Sequence, residues 1–286
     1  MRMQEQITKF IQHLIDLERS PETIAGYRND LLNFMTFLTQ LYNATPYIDE
    51  IETEDIQQYV TLLKDKNYSA ASRNRKLATL RSFFKFAIRR GWTKHNPALE
   101  IDLFKKKTTE KGYLSEEHVH DLVFGIKHPL IRLVITTLYY TGLRISECTN
   151  LKVEDIDFEC ECIRVVNGKG GKDRIIPMNR KLYELLLDYA LHWRVRNGSE
   201  RFFCTLRSGG LNRNYVNKWI KKAILDLGWN KKISPHTLRH SFASNLVKKD
   251  VHLVKIQKLL GHASLATTSV YTHTNLAELK DAVEHL

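Results

Sequence analysis

Apolar residues in the first third of the chain recur every three or four positions, in four stretches at 7–15, 27–38, 54–63 and 77–88. This spacing places the apolar side chains along one face of an α-helix. Gly91 closely follows the fourth stretch, at the kind of position where glycine often ends a helix. The pattern therefore predicts a bundle of four helices at the start of the chain.

The remainder of the chain combines helices with one short β signal. Pro129 opens a strongly apolar helix, which Gly142 breaks. Two β-rich runs at 160–166 and 174–178 flank an Asn-Gly pair and two adjacent glycines, which predict an antiparallel hairpin. Further helices are predicted at 181–193, 214–227, 235–248, 251–260, 264–271 and 276–285. The expected fold is mainly α, with a small antiparallel β-sheet.

The chain changes character between these two regions. Asn96-Pro97 ends the helical pattern, and residues 104–112 are polar, basic and without apolar periodicity, as in a linker. We therefore expect an N-terminal helical domain at 1–97, a basic linker at 98–112 and a second domain at 113–286. The linker lysines suit either contact with a charged backbone or simple solvation of the connection.

Basic residues outnumber acidic ones and are unevenly distributed. With 44 Lys and Arg against 32 Asp and Glu, the formal charge is +12 at pH 7, which favours a polyanionic partner, nucleic acid before membrane. Residues 63–97 hold ten Lys or Arg and one acid, Asp65. A helix face of one sign favours a phosphate-contacting surface, with Arg73 and Lys76 among its residues. A solvated face is the alternative.

The cysteines and apolar runs indicate neither a metal site nor a membrane span. None of the four cysteines, Cys148, Cys160, Cys162 and Cys204, forms a C-x-x-C pair, and no partners stand at zinc-ligand spacing. Reduced thiols favour a cytosolic protein. Residues 1–6 lack the apolar run of a signal peptide. The longest apolar stretches fall well short of the about 18 residues that a membrane span needs.

A first candidate site lies where a helix begins at residue 235. Ser234 can cap this helix, and Pro235 suits its first position. His236 and Arg239 are three residues apart and lie on one face of the first turn. The free N–H groups of a helix start, joined by a guanidinium and an imidazole, form a phosphate clamp. The alternative is an ordinary helix start whose arginine pairs with a carboxylate.

Two further basic residues stand beside glycines. Arg144 follows the break at Gly142, and Glu147 lies three residues after it. Glu147 either orients the Arg144 side chain or neutralises its charge. Lys169 lies in the predicted hairpin turn, where a lysine can donate a proton to a leaving oxygen. That turn joins two strands rather than a strand and a helix, so it is not a P-loop. A structural ion pair and a solvated turn are the respective alternatives.

Tyr271 is the candidate nucleophile. It follows His262 by nine residues, and Gly261 and Ser264 form a predicted helix end and helix cap beside that histidine. At pH 7 only about one tyrosine hydroxyl in a thousand is ionised. Nearby arginines would favour both the phenolate and an anionic transition state. Taken alone, a histidine or a tyrosine is more often a packing residue.

Five motifs, in the order found here, resemble those of the tyrosine recombinase (phage integrase) family, and most closely its short Xer-type members. They are T-G-L-R-I-S-E at 141–147, G-K-G at 168–170, H-T-L-R-H at 236–240, L-G-H at 260–262 and Y-T-H at 271–273. The resemblance covers nearly the whole chain. It implies a SAM-like, core-binding helical bundle and an α-rich catalytic domain with a small antiparallel sheet, which together clamp duplex DNA.

The resemblance also implies roles for the candidate residues. Arg144 and Arg239 would bind the scissile phosphate. His236 and His262 would assist them and take part in proton transfer. His240 lies within the same motif, and we expect it to be structural.

Two residues would then carry the bond changes. The resemblance makes Lys169 the general acid for the 5′-hydroxyl leaving group, with Lys172 as a second candidate in the same hairpin. It makes Tyr271 the nucleophile that forms a 3′-phosphotyrosyl bond. Such a bond stores the energy of the phosphodiester, so we expect no metal, no ATP and no other cofactor.

DNA and further copies of the chain are the implied partners. Lys218 and Lys221 lie on a helix that resembles the DNA-contacting helix of the family's catalytic domain. Two protomers would bind inverted half-sites of duplex DNA, and four would form the synapse. The last helix, 276–285, would pass to a neighbouring protomer or fold back in cis.

The expected function is site-specific DNA recombination in the cytoplasm, for integration, excision, or the resolution of dimers or cointegrates. Two alternatives stay open. A type IB topoisomerase-like enzyme would nick and reseal one strand without exchange. A DNA-binding regulator would retain the site as an inactive vestige.

Overall fold

The computed structural model describes residues 3–105, 112–166 and 173–261. The chain divides into two compact units, residues 1–109 and residues 110–286. Within the described ranges, no helix is long and apolar enough to cross a membrane.

The first unit is a helical bundle whose described part agrees with the predicted pattern. It contains α1 (Met3–Asp16), α2 (Pro21–Tyr42), α3 (Thr53–Asp65) and α4 (Ala70–Arg89), with a 3-10 turn at Ile48–Glu50. The hydroxyls of Ser20 and Ser69 cap α2 and α4 by accepting hydrogen bonds from backbone N–H groups of their first turns. Gly91, with φ at 70°, follows α4. The predicted four-helix region is confirmed.

Aromatic rings dominate the core of the first unit. Phe10 of α1 packs edge-on against Phe83 of α4, with ring centroids 5.5 Å apart, and Phe34 of α2 meets Tyr59 of α3 at 5.0 Å. These pairs join α1 to α4 and α2 to α3 within one apolar core.

The segment after α4 packs on the first unit rather than standing free. Ala98 and Ile101 are buried in its core. Arg81 of α4 donates hydrogen bonds to the carbonyls of both residues, at 2.9 and 2.6 Å. Asn74 and Phe104 exchange two hydrogen bonds of 2.9 Å. These contacts place 98–104, which the sequence assigns to the linker, against α4.

The second unit is mainly helical, as predicted. Its described helices are α5 (Glu116–Gly125), α6 (Pro129–Thr141), α7 (Ile145–Asn150), α8 (Arg180–Asp188), α9 (Arg213–Asp226), α10 (Pro235–Lys248) and α11 (Leu253–Leu260). Residues Tyr189–Trp193 continue α8 as a π-helix. Helix α6 is central: Ile131, Val134 and Leu138 are fully buried, and α10 packs along it.

A three-stranded antiparallel sheet stands beside these helices. It consists of β1 (Ile156–Asp157), β2 (Cys162–Val165) and β3 (Arg174–Pro177), in the order β1-β2-β3. Val165 pairs with Arg174 next to the segment that connects β2 to β3. The predicted hairpin strands are confirmed, whereas β1 was not predicted. The predicted helices at 264–271 and 276–285 lie outside the described residues.

Candidate active site

The site is organised around the turn that ends α6. Gly142 adopts φ of 63°, in the left-handed region, where glycine is strongly favoured. A Cβ atom at Gly142 would lie 2.5 Å from Phe242 of α10 and 2.8 Å from Leu260 of α11. The absence of a side chain therefore lets the turn approach α10 and α11 closely. The predicted break at this glycine is confirmed.

Arg144 follows that turn and is held by a carboxylate. It is the N-cap residue of α7, and its N–H donates to Glu147 Oε2 at 2.8 Å. Its guanidinium Nη1 donates to Glu147 Oε1 at 2.6 Å. Glu147 therefore orients the Arg144 side chain and forms an ion pair with it. The Arg144 side chain keeps 21% of its surface exposed, against 9% for Glu147.

A second arginine, which sequence reasoning missed, grips the same carboxylate. Arg174 of β3 donates from Nη2 to Glu147 Oε2 at 2.7 Å and from Nη1 to Oε1 at 3.2 Å. Burial alone would raise the pKa of Glu147, but hydrogen bonds from Arg174 and Arg144 outweigh it and lower the pKa to about 2. The carboxylate is therefore charged at neutral pH.

The predicted clamp at the start of α10 is built on a capped helix end. Ser234 accepts a hydrogen bond from the N–H of Thr237, and Pro235 takes the first helical position, so the predicted helix start is confirmed. Arg239 is 5% exposed. It donates to the carbonyl of Gly142 at 2.6 Å and to that of Leu260 at 2.7 Å.

These bonds bring three of the predicted site elements together. Arg239 ties the α6–α7 turn, which carries Arg144, to the C-terminal end of α11. His236 is exposed in the first turn of α10, the turn before Arg239. Gly261 ends α11 with φ of 66°, as predicted, and directly precedes His262. The result is a cationic site at a helix N-terminus, an arrangement suited to holding an anionic group.

Three predicted catalytic residues, Lys169, His262 and Tyr271, lie outside the described residues, as does Lys172. The structure does describe what flanks them. Strands β2 and β3 frame the segment with both lysines, and the end of α11 leads into His262. His240 is 6% exposed and meets the ring of Tyr113 edge-on, in keeping with a packing role.

The two predicted DNA-contacting lysines of the second unit are exposed on α9. Lys218 and Lys221 line a surface pocket of about 540 Å³ with Asn214, Asn217, Ile233 and Ser234. Because Ser234 caps α10, this basic pocket borders the helix start that carries His236.

The two predicted phosphate contacts of the first unit, Arg73 and Lys76, are less exposed than the lysines of α9. Lys76 is 4% exposed, and its Nζ lies 2.9 Å from Asp30 Oδ1. Arg75 and Thr79 also donate to Asp30. This placement argues against Lys76 as a phosphate contact, because its charge is buried against a carboxylate from α2. Arg73 is half-buried, with its guanidinium 4.0 Å from the centre of the Phe104 ring.

No group of three or more His, Cys, Asp or Glu side chains in the part of the chain that the structure describes is arranged to hold a metal ion. The charged groups that meet at the site are arginines around one carboxylate. They suit electrostatic stabilisation of a phosphate that gains negative charge.

Family models and relatives agree with this architecture. The phage integrase family matches residues 112–278, and the phage integrase N-terminal SAM-like domain matches residues 7–91. Tyrosine recombinase XerC of Halalkalibacterium halodurans is 32% identical, over 96% of this chain and 94% of that protein. Tyrosine recombinase XerD of Oceanobacillus iheyensis is 33% identical, over 94% of each chain.

Solved structures share the fold along nearly the whole chain. The crystal structure of XerA recombinase matches with a TM-score of 0.53 and 28% identity, covering 99% of this chain and 98% of that one. The Tn1549 transposon integrase in complex with circular intermediate DNA matches with a TM-score of 0.77 and 20% identity, covering 100% and 99%.

The fold and the site thus define a two-unit, mainly α protein in which two arginines meet at one carboxylate. The chain belongs to the phage integrase family and is a site-specific recombinase of the tyrosine class. The resemblance stated from its motifs is confirmed.

Proposed function

We propose that this recombinase cleaves DNA by attack of the Tyr271 hydroxyl on a phosphodiester. The tyrosyl hydroxyl loses its proton to His236 or His262 as its oxygen bonds to phosphorus. The bond from phosphorus to the 5′ oxygen breaks, and Lys169 protonates that oxygen. Attack by a 5′-hydroxyl on the resulting 3′-phosphotyrosyl bond reverses these steps and rejoins the strand, without metal or ATP.

One observation carries the proposal: Arg239 bridges the Gly142 and Leu260 carbonyls, 2.6 and 2.7 Å away. This bridge fixes the Arg144 turn beside the helix end that leads to His262. Rigidly placed cationic donors stabilise a transition state without reorganising during the reaction. Arg144, Arg239, His236 and His262 are therefore proposed to hold the phosphate.

Duplex DNA is the proposed substrate. The formal charge of +12 favours a polyanion, and the exposed Lys218 and Lys221 border the site. The Tn1549 integrase was solved with DNA, and a λ integrase dimer was solved on a core site at a TM-score of 0.76 and 21% identity. Arg73 remains a proposed contact in the first unit.

The proposed working assembly is a dimer on inverted half-sites and a tetramer in the synapse. In each protomer, a DNA-binding domain at 1–97 and a catalytic domain at 113–286 would clamp the duplex, joined by 98–112. The helix at 276–285 would dock on a neighbouring protomer or in cis.

The test begins with a duplex selected by the wild-type protein from a random-sequence pool, here called the selected duplex. A nicked copy is incubated with the protein in EDTA without nucleotide, and SDS-stable protein–DNA adducts are counted. We expect an adduct with wild type and with Tyr47→Phe, a control tyrosine that is 52% exposed. We expect none with Tyr271→Phe; an undiminished adduct in that variant would sink the mechanism.

The same reagents separate the alternatives. Two differently labelled selected duplexes should yield recombinant strands. Relaxation of supercoiled DNA with no recombinant product would instead favour a topoisomerase-like enzyme. Binding without any adduct would favour a regulator with a vestigial site.

A further inference from the structure

The guanidinium of Arg174 donates hydrogen bonds to three acceptor atoms of the protein. Its side chain is 7% exposed. Beyond the two bonds to Glu147, its Nε donates to the carbonyl of Leu259 at 2.9 Å. It also lies against Gly261, where an added Cβ would come within 3.0 Å of Arg174 Cδ. All three guanidinium nitrogens of Arg174 donate to protein groups, and its charge is paired with the Glu147 carboxylate, so contact with a DNA phosphate would require breaking this ion pair.

Arg174 and its partners lie on three separate segments of the second unit. Glu147 lies in α7 and holds Arg144. Leu259 lies in the last turn of α11, which leads to His262. Arg174 itself begins β3, directly after the hairpin segment that carries Lys169. One side chain thus joins the segments that carry three of the proposed catalytic residues.

We infer that Arg174 is a positioning residue for strand cleavage, acting on Arg144 through Glu147 and on the end of α11 through Leu259. This inference rests on the proposed function. Arg174 does not contact the substrate in this role. Its removal should leave DNA binding in place and slow the chemical step.

The geometry requires arginine rather than lysine. Guanidinium donors lie in one plane and point in fixed directions, which lets one side chain serve a carboxylate and a carbonyl together. A lysine offers a single nitrogen on a flexible stem. Arg174→Lys should therefore keep a positive charge near Glu147 but lose the hydrogen bond to the Leu259 carbonyl.

The first measurement compares Arg174→Lys with Arg194→Lys. Arg194 is a matched control, because it donates to the carbonyls of Ser199, Arg201 and Phe202 in the same unit. Thermal unfolding, affinity for the selected duplex and the single-turnover rate of adduct formation are measured for both. We expect a rate loss of about 100-fold for Arg174→Lys, the scale of a small misplacement of reacting groups, with affinity within about threefold. Arg194→Lys should keep its rate.

The second measurement distinguishes positioning from a general loss of structure. Glu147→Gln is combined with Arg174→Lys, and cleavage rates of the single and double variants are compared. If Arg174 acts through Glu147, the double variant should be little slower than the slower single variant. Rate losses that multiply would overturn the proposal.

Two other outcomes would also overturn it: a rate for Arg174→Lys within about threefold of wild type, or unfolding of both Arg174→Lys and Arg174→Gln, which would assign Arg174 to fold stability alone. Failure of the proposed function is distinguishable. In that case the wild-type protein forms no adduct, whereas failure of this inference leaves wild-type cleavage intact.

Discussion

Asp30 offers the sharpest test of how the basic residues of the first unit are used. This buried carboxylate accepts hydrogen bonds from Arg75, Lys76 and Thr79, the last two at 2.9 and 3.2 Å. Asp30→Asn keeps the shape of the side chain and removes the negative charge. The Arg75 side chain is 56% exposed and can turn into solvent, but that of Lys76 is 5% exposed and cannot.

The expected cost follows from leaving Lys76 buried without a counter-charge. Breaking one side of a buried ion pair costs about 3–5 kcal/mol. In a unit of this size, about 1 kcal/mol shifts the melting temperature by about 4–8 °C. Calorimetry of the full chain should therefore show the transition of the first unit at least about 12 °C lower, with the transition of the second unit unmoved.

Two controls decide the result. Asp30→Leu combined with Lys76→Met removes both charges, and should recover most of the loss because apolar replacement of a buried pair is often neutral. Lys152→Met, at an exposed pair with Glu154, should leave both transitions in place. A shift for Asp30→Asn no larger than that of Lys152→Met would refute the reasoning.

Three further predictions concern charge and backbone geometry. Lys221→Met should reduce the slope of log affinity against log salt by about 0.9, while Lys76→Met leaves the slope unchanged; equal effects in filter binding would contradict the assignment. Gly142→Ala should destabilise the second unit in urea by about 2 kcal/mol or more, since a left-handed φ and a close contact combine; an unchanged midpoint would contradict it. The pKa of Glu147 is about 2 in the fold, below its unfolded value. Its contribution, about 3 kcal/mol, is therefore complete above about pH 4.5 and lost as the pH falls towards 2. Glu147→Gln should flatten urea-derived stability across that window, and an unaltered acid limb would contradict this.

The elements predictable from sequence are those set by local rules. Ser234 and Pro235 open α10, and Gly142 and Gly261 close α6 and α11. Each depends on groups within one helical turn, because caps satisfy backbone N–H and C=O groups nearby in the chain. Local pattern therefore located the start of the predicted clamp and the turn before Arg144.

Long-range pairing was not predictable. Lys76 stood in a run of basic residues, and its partner Asp30 lies 46 positions away. Arg174 stood at the edge of a predicted strand, 27 positions from Glu147. Charge counts along the chain contain no information on such pairs, so an apparent one-sign surface included a buried cation. The sequence contained one hint of this pair. Arg174 begins a predicted strand, and Glu147 is the acidic residue of the motif at 141–147.

The two buried charge networks have different consequences for activity. Asp30 and Lys76 belong to the first unit, whereas Glu147, Arg174 and the described site residues belong to the second. Weakening the Asp30 network should therefore change the stability of the first unit but not the cleavage rate of bound complexes. Weakening the Glu147 network should change that rate, because its arginines hold the turn and helix end that surround the proposed phosphate site. This preorganisation is established during folding. The contacts that stabilise the second unit therefore also set the geometry of the proposed phosphate site.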